Sequence, residues 1–121
     1  MRTAGDIAQR ALVRAGVLAS GETPTAAEMQ DAVSALADML DSWRIEQLMA
    51  PGCAYARDES TVMSLPNGWQ QAILLNLAVN LCGEYGFAVD PALASLANTA
   101  KANVKRSNIQ PAFVTFDQEL L

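Results

Sequence analysis

Apolar residues recur at helical spacing through most of this chain. Near the start, Ile7, Ala8, Ala11, Leu12 and Ala15 share one face, with Gln9, Arg10 and Arg14 outside it. Thr3 stands three residues before Asp6, a capping box with a shorter acid, and Gly16 supplies a left-handed stop. The spacing therefore predicts a helix over 4–15. Residues 18–24 are small and polar and read as a loop. Thr25-Ala26-Ala27-Glu28 is a full capping box, and Met29, Val33, Leu36, Leu40 and Trp43 follow it in steps of 4, 3, 4 and 3. Nothing breaks that second helix before Pro51-Gly52, so it is expected to reach Leu48 or Met49. A third helix is predicted after Leu65-Pro66-Asn67-Gly68, with Trp69, Ile73, Leu77 and Leu81 on one ridge and Leu74, Ala78, Cys82 and Tyr85 on another. Its one sustained polar strip is Asn76, Asn80 and Glu84. A helix apolar over most of its girth is enclosed on several sides, either as the hub of the domain or with part of it covered by another subunit. Gly86 ends it. Asp90-Pro91 starts a fourth helix, whose small-residue face comprises Ala92, Leu93, Leu96, Ala97, Ala100 and Val104.

Two stretches depart from this pattern. Residues 51–65 scatter Tyr55, Val62 and Leu65 around a polar centre and read as an extended loop or short hairpin. After Asn108 come Pro111, a helix breaker, two phenylalanines and an apolar end: Ile109, Phe113, Val114, Phe116, Leu120 and Leu121. Disordered tails are poor in aromatics, so this segment needs a surface, on its own helices or on another chain. The expected architecture is a single all-α domain of four helices over 1–108, with an extended loop at about 51–65 and an extended C-terminal docking arm over 109–121.

Composition agrees with helix. The chain has 121 residues, 51% of them apolar and 22 of them alanine, the best helix former. That length suits one domain with one core. The net charge is −5, but unevenly placed: +2 over residues 1–20, −6 over 21–60, −2 over 61–100 and +1 over 101–121. An acidic total argues against a protein whose main affinity is for phosphate backbone or anionic lipid. No run approaches the ~18 unbroken apolar residues of a membrane span. The opening Met1-Arg2-Thr3-Ala4-Gly5-Asp6 places an acid where a signal peptide needs apolar residues, so an intracellular product is expected.

Candidate chemistry is sparse. The chain has no histidine, which excludes imidazole-ligated metal and any nucleophile–histidine couple. Cys53 and Cys82, 29 positions apart, have no metal-ligand spacing and read as reduced thiols, with Cys82 a small core residue. No metal and no cofactor is expected. Glu28/Asp31, Asp38/Asp41 and Asp58/Glu59 read as a solvated acidic face rather than as opposed carboxylates across a cleft. Lys101, Lys105 and Arg106 read as complements to a helix C-terminus. Trp43 and Trp69 read as core anchors.

Thr3-Ala4-Gly5-Asp6-Ile7, the run from Ala27-Glu28-Met29-Gln30-Asp31-Ala32 through Leu36-Ala37-Asp38-Met39-Leu40-Asp41-Ser42-Trp43, and Leu65-Pro66-Asn67-Gly68-Trp69 through Asn76–Gly86 together resemble head–tail adaptor proteins of tailed bacteriophages, also called connectors, head-completion proteins or tail accessory factors. The resemblance covers about residues 3–108. It implies a non-enzymatic virion protein, assembled in the host bacterial cytoplasm, that forms a ring, commonly of twelve copies, under the portal. Such a ring joins head to tail and extends the DNA exit channel. Its expected partners are the portal protein, neighbouring copies, the next tail component and DNA that passes without specific binding; no membrane is involved. The C-terminal arm, through Ile109, Pro111, Phe113, Val114, Phe116, Leu120 and Leu121, is expected to dock on the portal. Asp38, Asp41, Asp58 and Glu59 are candidates for acids facing the lumen. One rival is a muralytic enzyme using Glu28 or Glu84, an activity attributed to a longer relative. Another is a DNA-packaging module using Arg2, Arg10, Arg14 and the Lys101–Arg106 cluster.

Overall fold

The computed structural model describes the backbone of residues 3–19, 21–46 and 67–120, and their side chains except at Asn67 and 107–120. Four helices are built from it: α1 (Ala4–Ala15), α2 (Ala26–Ile45), α3 (Asn67–Tyr85) and α4 (Pro91–Leu120). No strand occurs among the described residues. The loop expected at 51–65 lies outside them.

Local chemistry sets most of the helix ends. Both capping boxes form. Asp6 N–H donates to Thr3 Oγ1 at 3.2 Å and Thr3 N–H to Asp6 Oδ2 at 3.0 Å. Glu28 N–H donates to Thr25 Oγ1 at 3.1 Å and Thr25 N–H to Glu28 Oε1 at 2.8 Å. Each box satisfies two backbone donors that a helix start leaves without partners. At the other ends, Gly16 (φ 89°) and Gly86 (φ 73°) adopt the left-handed conformation. The next residue in each case turns its N–H back into the helix, Val17 to Leu12 O and Phe87 to Cys82 O. Asp90 caps α4 by accepting from Ala92 N–H at 3.0 Å. Helix α2 stops earlier than expected, closing at Ile45 with Glu46 as its cap.

Helix α3 is the hub. It packs against each of the other three helices; α1 also packs against α2, whereas α4 rests on α3. The chain runs up, down, up, down. Ala15 lies beside Cys82, so α1 is parallel to α3; Asp31 meets Tyr85 and Trp43 shares a groove with Asn76, so α2 is antiparallel. The core comprises both expected ridges of α3, the α1 face and a face of α2 broader than a heptad seam, since Ala32, Ala35 and Met39 are buried with Val33, Leu36, Leu40 and Trp43. Burying each large aliphatic side chain here stabilises the fold by roughly 1.5–3 kcal/mol. On α4, Leu93, Ala97 and Val104 are buried, but Ala92 and Leu96 lie outside the face, Leu96 being 51% exposed.

The C-terminal segment differs from expectation. The backbone from Ile109 to Leu120 continues α4 instead of forming an extended arm, and the helix carries Pro111 within it. Proline removes one internal hydrogen bond and crowds the preceding turn, costing ~3 kcal/mol in a helix interior. Established helix on one side and Ala112-Phe113 onward on the other carry the chain past it.

Candidate functional site

The polar strip of α3 becomes the floor of a groove between α2 and α4. Asn76 Nδ2 donates to Ala72 O at 2.8 Å and to Ala97 O at 3.0 Å, tying α3 to α4. At one end of the groove Lys101 Nζ meets Glu46 Oε2 at 3.3 Å and stands 5.6 Å from the Trp43 ring centroid. Lys101 therefore joins α4 to the end of α2 through an ion pair and a cation–π contact. This corrects its expected role as a helix C-terminal complement, because α4 continues well past it. The groove spans about 690 Å³, with Asp38 and Ser42 of α2 on its wall and Asn80 and Glu84 of α3 in its floor.

A second groove of about 690 Å³ lies against α1, lined by Arg10, Arg14, Val13, Gln71 and Leu74 among others. Arg10 and Arg14 are both exposed. Neither has an ion-pair partner among the described residues.

The remaining sequence candidates fall as follows. Asp38 and Asp41 are exposed on α2, and Asp41 pairs with Arg44 at 3.3 Å. Asp58 and Glu59 lie outside the described residues, as do Cys53 and Leu121. Ile109, Pro111, Phe113, Val114, Phe116 and Leu120 all fall on the last turns of α4. Cys82 is buried, its thiol directed at Ala15 O at 3.6 Å, which fits packing. Trp43 is buried and Trp69 is half-buried against the core. Glu28 is engaged by its capping box, and Glu84 stands exposed on α3.

Some features had no clear sequence signal. Tyr85 Oη–H donates to Asp31 Oδ2 at 3.5 Å across 54 positions of sequence. Burial, helped by the negative charges of Asp31, Glu28 and Glu84, raises the Tyr85 phenol above 10.0. Ile45, Phe87, Val89 and Leu96 are large apolar residues left exposed. Among the described residues, no group of three or more His, Cys, Asp or Glu is placed to hold a metal, and no helix is long and apolar enough to cross a membrane.

This geometry defines a small all-α domain with grooves and exposed apolar residues along its flanks. A family model described as P22 tail accessory factor matches residues 1–114. The chain belongs to that family, the tail accessory factors of phages. No curated protein matches it.

Proposed function

We propose that this protein is a non-enzymatic structural adaptor that forms a ring under the portal, joins phage head to tail and extends the DNA exit channel. Family membership over residues 1–114 is the observation that carries this reading. The far end of α4 supports it. Asn76 meets Ala97, and Trp69 shares a small pocket with Val104, so α4 has passed the start of α3 by about Arg106. The turns beyond, ~20 Å of helix, have no part of α3 beside them. Phe113, Phe116 and Leu120 fall there at spacings of three and four, the period of a helix that lays one face in a groove. In this reading the portal supplies that groove. Each large side chain buried contributes roughly 1.5–3 kcal/mol before ordering costs, and repetition around a ring makes modest contacts durable. Exposed carboxylates of α2, Asp41 among them, belong on the channel wall, where like charge keeps passing DNA from adhering.

Removing residues 110–121 tests the docking role. The truncated protein is expected to keep the α1–α3 core and to lose association with purified portal in co-sedimentation. Undiminished association by a folded truncation contradicts the role.

A further inference from the structure

The two grooves stand on opposite sides of α3. Gln71 and Asn80 are nine positions apart, as are Leu74 and Gly83, and nine positions make about two and a half turns. Gln71 and Leu74 line the groove with Arg10 and Arg14; Asn80 and Gly83 line the groove with Asp38 and Glu84. Their net charges are opposite as well: Asp6 beside Arg10 and Arg14 leaves one groove at +1, and Lys101 beside Asp38, Glu46 and Glu84 leaves the other at −2. Arg10 and Arg14, one turn apart on α1, are exposed cations with no ion-pair partner among the described residues. Asp38 and Glu84, from two different helices, are exposed carboxylates in the same condition.

We propose that the arginine groove of one copy docks against the Asp38–Glu84 groove of the next. The inference rests on the ring reading above and names the surfaces that meet. A second copy is the occupant because this chain carries both halves of the charge-complementary pair. Placement on opposite sides of one helix makes the contact heterologous, one face meeting a different face. Such contacts propagate around a ring rather than closing a two-fold dimer. Guanidinium groups suit the task, since their planar forks engage carboxylates in two parallel hydrogen bonds. Val13 and Leu74 line one groove, and Val79 and Met39 the other, so each has an apolar part beside its charged groups. Asp38 thereby moves off the channel wall and onto the seam, while Asp41, three positions on, stays outside it.

The test uses the full chain with its portal and a pair of reversed variants. R10E/R14E is acidic on both faces, and D38R/E84R is basic on both. Each alone is expected to lose assembly on the portal by about tenfold or more in native mass spectra, as opposed charges at a contact become like charges. A one-to-one mixture of the two is expected to recover it, in rings where the variants alternate. Full assembly by either variant alone, or no recovery in the mixture, overturns the pairing. If either variant does not fold, R10Q/R14Q and D38N/E84N replace them, and the expected result is assembly of each that is weaker than wild type and less sensitive to salt. An unchanged salt response overturns the proposal. If the wild-type protein forms no multimer on portal, the ring reading itself fails; if it assembles and the variants match it, only this choice of faces fails.

Discussion

At the scale of single residues, the legible features were those whose partners lie within a few positions. Thr3 with Asp6 and Thr25 with Glu28 announce capping boxes because the partners are three residues apart, and Gly16 and Gly86 announce left-handed stops. The Tyr85–Asp31 bond was not legible, since 54 positions separate partners that only the packed fold brings together. Tyr85 also supplies a pH prediction. Its folded phenol is raised by burial first and by Asp31, Glu28 and Glu84 after it, so it loses its proton later than the unfolded chain does. Below pH ~10 both states hold the proton and the group leaves stability unchanged. As pH rises past that value, the unfolded chain ionises first and the fold weakens until the folded phenol has also titrated. Tyr85→Phe lacks this loss. Melting curves of the two proteins are therefore expected to keep a constant offset below about pH 9 and to move against wild type above about pH 10. Parallel behaviour to pH 11 and beyond contradicts the assignment.

At the scale of elements, periodicity locates four helices and marks α3 as either the hub or a face shared with another subunit. The apolar girth of α3 was correctly read as enclosure, and the enclosing surfaces are α1, α2 and α4 of the same chain. What periodicity alone could not place was the far half of α4. Pro111 reads as a breaker, yet a proline penalty is local and helix on either side can outweigh it. That misreading also moved Lys101 from the end of a helix to its middle and hid its partners, Glu46 and Trp43, on another helix. The contact is about a third in solvent, with side chains 29% and 38% exposed, so its worth is modest. A double-mutant cycle of Lys101→Met and Glu46→Gln is expected to give a coupling of roughly 0.2–1 kcal/mol in denaturant unfolding. A coupling of zero means that the ion pair adds nothing to the hold between α4 and α2, leaving the Trp43 contact of Lys101.

At the scale of the whole molecule, the domain is held by one apolar core centred on α3, and its surface leaves several groups without internal partners. Among the described residues Arg10, Arg14, Asp38 and Glu84 have no ion pair, while Ile45, Phe87, Val89 and Leu96 are exposed. The sequence carried the family through packing patterns, and its charge is uneven, positive over residues 1–20 and most acidic over 21–60. It could not show that two grooves of opposite net charge lie on opposite sides of α3, because that depends on how α1 and α2 seat around it. The central claim is that the protein is completed by partners, and the mass of the full chain mixed with purified portal tests it most directly. The account predicts one portal ring carrying a closed set of copies of this chain. A portal whose mass is unchanged by an excess of folded protein contradicts it.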